Sequence, residues 1–181
     1  MATRSGKKSP QSIYHQNRSL KDLKFIFSLV IFFVVIKFVI FVALNDHFFY
    51  GADAEGYING VQGLIDSGFF SQTEALGYWP AGYPILIWLM PGNTAYFKIA
   101  CFAILQTLIF AYATFRLGKV LIAKNLNKSA KYLVFLININ PTLGISTLVI
   151  GYETLAASLL ILSLTFYLDF QSQIDNIKFK L

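Results

Sequence analysis

The chain has 181 residues, of which 56% are hydrophobic and 17% aromatic, with only 13% charged, a mean hydropathy of +0.58 and a formal net charge of +6. A soluble domain carries about 25% charged residues and a disordered chain is poor in apolar and aromatic residues, so neither class fits, and no glycine period or heptad run supports a fibre. What remains is an integral membrane protein, with room for about four or five spans of ~20 residues.

The first 24 residues hold Arg4, Lys7, Lys8, Arg18, Lys21 and Lys24 against a single acid, Asp22. They read as a mobile basic cytoplasmic tail. Residues 25–44 follow as an apolar run long enough to cross a bilayer. No small-residue cleavage pattern follows it, so it is expected to be an uncleaved signal-anchor, transmembrane span 1. Lys37 lies about twelve residues into it, where charges are rare.

Residues 45–95 form the next region, and its part 45–82 holds Asp46, Asp53, Glu55, Asp66 and Glu74 with no Lys or Arg. Ala54, Tyr57, Ile58, Val61, Leu64 and Ile65 recur at helical spacing, Asp53 stands where an N-cap belongs and Gly68 where a helix-ending glycine belongs. This predicts an amphipathic helix over 54–66, lying at the membrane surface. Residues 83–90, between Pro80 and Pro91, are too few to span and read as a partly inserted segment.

Span 2 is expected over 96–117, a basic loop over 118–131, span 3 over 132–150 with Pro141 and Gly144 interrupting it, span 4 over 154–170, and a cytoplasmic end over 171–181. Thirteen of the fifteen basic residues then fall on one side, the exceptions being Lys37 and Lys98. Under the positive-inside rule that side is cytoplasmic and the acidic region 45–95 is extracytoplasmic. The predicted fold class is an all-α polytopic membrane protein of about four transmembrane helices, with a long extracytoplasmic first loop carrying an interfacial helix. This distribution argues against nucleic acid as the partner of the +6 charge. The one cysteine, Cys101, excludes an internal disulfide and reads as a small buried hydrophobe. No His/Cys cluster suggests zinc, no glycine-rich phosphate loop is present, and His15 and His47 read as solvated or interfacial.

Three strings in the acidic loop occur in order: Asp53–Tyr57 (DAEGY), Leu64–Phe70 (LIDSGFF) and Trp79–Pro84 (WPAGYP). Together with Asn140-Pro141 and Gly151–Glu153 (GYE) they resemble the C-type superfamily of integral membrane glycosyltransferases, which includes dolichyl-phosphate-mannose protein mannosyltransferases and bacterial aminoarabinose transferases acting on lipid A. The resemblance covers about residues 20–170. It implies transfer of a sugar, mannosyl- or hexosyl-like, from a polyprenyl-phosphate donor to an extracytoplasmic acceptor (lipid, glycan or protein) at a bacterial inner membrane. It also implies that this chain is the N-terminal part of a longer enzyme.

By that resemblance Asp53 is the catalytic base, and Glu55, Tyr57, Trp79, Tyr83, Lys98 and Glu153 line the substrates. A base within hydrogen-bond reach of the acceptor hydroxyl and one inverting displacement suffice for such a transfer. Lys98, the only outer cation, is a positional candidate for the leaving phosphate. The resemblance assigns no definite cofactor, and Asp53 and Glu153, if they meet in space, have the chemistry to hold a divalent cation with waters.

Each residue also has a plainer role. Asp53 can be an N-cap, Glu55 and Glu153 helix-start acids favoured by the dipole, the aromatics and membrane lipid an ordinary interfacial belt, and Lys98 a snorkelling side chain. Two alternatives therefore stand beside the enzyme: a non-catalytic four-span membrane protein, such as an assembly factor or enzyme remnant, and a small transporter subunit suggested by Lys37, Asp169 and the broken third span.

Overall fold

The apolar run after the basic tail folds as one continuous helix, α1, Pro10–Leu44, in the computed structural model, which describes residues 10–44, 54–68, 81–141, 143, 145–148 and 153–178. The tail from Pro10 onward is thus helical rather than a separate mobile segment. Nothing between Gln11 and Lys24 breaks a helix, and Pro10 stands at the first helical position, where its missing N–H is harmless.

Five further helices follow: α2, Ala54–Ser67; α3, Gly82–Trp88; α4, Ala95–Ala123; α5, Asn127–Ile139; and α6, Glu153–Lys178, with a 3₁₀ turn at Ile145–Leu148 before α6. The described residues contain no strand. Three helices contain stretches long and apolar enough to cross a membrane: Arg18–Ala43 of α1, all of α4, and Glu153–Gln171 of α6. Their outward surface is apolar, with Val39, Val42, Leu108, Leu160 and Phe166 exposed. Such a surface suits hydrocarbon rather than water.

α4 is the hub, touching every other element. At 29 residues it is about 44 Å long. The side chain of Thr94 caps its start, accepting from the Phe97 N–H at 3.3 Å. Its other end closes in a turn of only three residues, not the long basic loop expected over 118–131. There Asn125 takes φ +60°, Asn125 N–H donates to Ile122 O and Leu126 N–H to Leu121 O. That pair of bonds is a Schellman motif, with Asn in the left-handed position. α1, α4 and α5 meet most closely at Gly118. A methyl group there would come within 2.9 Å of Ile26 and 3.1 Å of Val134.

The third expected span, 132–150, is not a continuous helix. α5 stops at Ile139, one residue before Asn140-Pro141, because proline disfavours the helical conformation in the residue before it. Asn140 then turns the chain, its side chain accepting from the Leu143 N–H at 3.1 Å. Three unbroken apolar helices are present among the described residues where four spans were expected.

Candidate functional site

The acidic loop builds a cap over the first turns of α4. In α2 the residues with helical spacing lie on one face: Ala54, Tyr57, Val61 and Leu64 are buried, and Ile58 and Ile65 partly so. The opposite face carries Glu55, Asn59, Gln62 and Asp66, all exposed, with Gln62 Nε2 donating to Asp66 Oδ1 at 2.8 Å. Gly68 ends the helix at φ +72°, where a side chain would be strained. The apolar face is covered by α3 and α4: Tyr57 meets Tyr83 edge-on at 4.9 Å, and Tyr83 meets Phe102 at 5.2 Å. The same core takes in Ile87 and Ile99, with Phe41 from the end of α1 and Leu155 from the first turn of α6 against it.

Polar groups inside the cap are hydrogen-bonded in a chain. The Tyr83 hydroxyl donates to Gln106 Oε1 at 3.2 Å, and Gln106 Nε2 donates to Thr147 O at 2.5 Å. Thr107 Oγ1 donates to Ala103 O at 2.8 Å. This links α3, α4 and the 3₁₀ turn through groups shielded from water, where an unpaired polar atom is costly. Lys98 is only 9% exposed, and its ammonium donates to Trp88 O at 2.7 Å and Met90 O at 2.5 Å. It therefore satisfies carbonyls at the end of α3, groups a helix otherwise leaves without partners.

The residues singled out from sequence thus divide. Tyr57 and Tyr83 are core side chains, and Lys98 is a tether for α3. Glu55 and Glu153 are exposed, each in the first turn of its helix. Asp53 and Trp79 lie outside the described residues. In sequence Ala54 follows Asp53, and Leu155, which packs against the core of the cap, lies two residues after Glu153. Gln106, Thr107 and Thr147 were not anticipated as a network. The only hint was a Gln-Thr pair inside an apolar run.

A second buried cation lies in the bundle. Lys37 of α1 is 2% exposed, with its ammonium 4.5 Å from the centre of the Phe110 ring. Among the described residues that ammonium has no hydrogen-bond partner. Toward the basic end Arg116 pairs with Asp169 at 2.6 Å, joining α4 to α6. No group of three or more His, Cys, Asp or Glu side chains comes together among the described residues. The chain matches no protein-family model, no curated protein and no solved structure.

Proposed function

We propose that this chain is the N-terminal portion of a membrane glycosyltransferase, which moves a sugar from a polyprenyl-phosphate donor to an extracytoplasmic hydroxyl acceptor. In this reading four segments cross the bilayer, the third being the broken stretch 132–150, and the basic end faces the cytoplasm. The motif resemblance supplies the chemistry. The structural observation that supports it is that Ala54, at the start of α2, and Leu155, in the first turn of α6, join one core, Asp53 and Glu153 standing one and two residues before them in the sequence. A rigid cap with acids at its rim suits a donor whose lipid stays in the bilayer while its sugar is held at the surface.

In the proposed step Asp53 takes the proton of the acceptor hydroxyl. The freed oxygen attacks the anomeric carbon opposite the phosphate, and the carbon–oxygen bond to the polyprenyl phosphate breaks with its electron pair. The Lys98 ammonium already donates to Trp88 O and Met90 O, so it is given no role at that phosphate in the proposed step.

The test is sugar transfer in membrane vesicles by the full-length gene product, using polyprenyl-phosphate hexoses as donors. Asp53→Asn is expected to lower transfer by about 10²–10⁴-fold, the usual weight of a general base. Full activity in that variant would remove Asp53 from the role. The alternative of a non-catalytic four-span protein draws on one observation: Tyr57, Tyr83 and Lys98 are buried within the protein. Absence of transfer by the wild-type full-length product with every donor supports that alternative.

A further inference from the structure

The basic end carries two grooves that share one residue. A groove of about 710 Å³ is lined by Arg18, Ser19, Asn125, Asn127, Lys128 and Ser129 together with the apolar Ile122 and Leu126. An apolar groove of about 380 Å³ is lined by Phe25, Leu29, Lys128, Lys131, Tyr132 and Phe135. Lys128 belongs to both, so the basic recess and the apolar slot adjoin at that residue. The slot runs between α1 and α5, on helices whose outer faces are apolar, with Phe25, Tyr132 and Phe135 exposed beside it.

The charges at this junction do not balance. Asp22 is the acid here, and it is engaged: Lys131 forms an ion pair with it and the Asn127 side-chain amide donates to it. Lys131 also lies over the Phe25 ring at 5.2 Å from its centre. Arg18 and Lys128 are exposed and form no ion pair with any described acid. Two exposed cations that form no ion pair with a described acid, Arg18 lying one turn before Asp22 and within its electrostatic reach, thus stand with hydroxyl and amide groups at the head of a largely apolar slot.

We propose that this junction binds an anionic glycerophospholipid, its phosphate between Arg18 and Lys128 and one acyl chain along Phe25, Leu29 and Phe135. A basic recess at the membrane surface attracts anionic headgroups. The adjoining apolar slot distinguishes a lipid from a soluble phosphate, which would gain nothing from it. The three-residue turn at Asn125 fixes α4 against α5, so the recess is formed before the lipid arrives. The proposal rests on the orientation given above, with this end against the cytoplasmic leaflet, and is independent of the sugar-transfer chemistry.

The test uses the full chain in phosphatidylcholine nanodiscs with and without phosphatidylglycerol, reading retained lipid by native mass spectrometry and the thermal midpoint. Phosphatidylglycerol is expected to be retained in preference to phosphatidylcholine and to raise the midpoint. The double variant Arg18→Gln/Lys128→Gln is expected to lose that preference by about tenfold or more, whereas Lys24→Gln/Lys119→Gln, which removes as much charge from exposed positions outside both grooves, keeps it. Equal loss in the two double variants overturns the proposal in favour of a diffuse field. Inorganic phosphate raising the midpoint as much as the lipid overturns it too, as does a Phe135→Ala variant with undiminished retention.

Discussion

At the acidic end the buried charge is a cation, Lys98, and the acids Glu55, Asp66 and Glu153 are exposed; at the basic end the buried charge is an acid, Asp22, and Arg18, Lys21, Lys24, Lys119 and Lys128 are exposed. Each end uses the charge of the minority sign as a structural fastener and leaves the majority sign at the surface. The fasteners differ in kind. Lys98 holds backbone carbonyls of a short helix, while Asp22 holds two side chains across the α1–α5 seam. The charges left outside are the ones available to ligands, which is why the acids are assigned to sugar transfer at one end and the cations to lipid at the other.

The largest expected effect lies at the acidic fastener. Lys98→Met removes both donors from Trp88 O and Met90 O, and each buried carbonyl left unsatisfied costs about 1–3 kcal/mol. A loss of roughly 3 kcal/mol is expected, read as a lower unfolding midpoint in detergent. A loss below that of the basic-end variants described next would break the contrast between the two ends.

Gly118→Ala comes second and probes how the basic end is held. Its new methyl would press on Ile26 and Val134, and overpacking at a helix crossing costs about 1–3 kcal/mol. Ile26→Val in the same chain should recover part of that loss, because it removes one of the two crowding carbons.

The basic fastener should be weaker. The side chain of Lys131 is 37% exposed, so water and salt screen its pairing with Asp22. A double-mutant cycle with Asp22→Asn and Lys131→Met should give a coupling of about 1 kcal/mol or less. The coupling should shrink on adding salt, whereas the Lys98→Met effect should not.

Much of this arrangement was written in local sequence. The spacing from Ala54 to Ile65 with Gly68 after it marks α2 to within a residue of its observed end, because helix period and glycine termination are local properties. Pro141 marks the end of α5 within the expected third span for the same reason. Other features depend on distant partners. The spacing of α2 predicts an amphipathic helix along the membrane surface; its apolar face is covered by α3 and α4, whose complementary surface no spacing rule reveals. Lys98 reads as a lone outer cation until Trp88 and Met90 are seen to present carbonyls to it. The bond from Gln106 to Thr147 joins residues 41 apart, and nothing in either segment names the other. The proposed base, Asp53, was legible only through its motif.

Lys37 offers the smallest and most discriminating comparison, because it is as buried as Lys98 yet holds no carbonyl. Among the described residues its ammonium has only the Phe110 ring, and a cation over a ring contributes about 0.5–2 kcal/mol, less than the cost of removing an unpaired charge from water. Replacing a buried charge with an apolar side chain of similar volume is commonly neutral or stabilising. Lys37→Met should therefore raise the unfolding midpoint slightly, by about 1 kcal/mol of stability or less, while Lys98→Met lowers it. Two lysines, one substitution and opposite signs would show that burial alone does not make a charge a fastener; the acceptor it reaches does. A Lys37→Met variant that unfolds as readily as Lys98→Met would instead mean that Lys37 is held by a group outside the described residues.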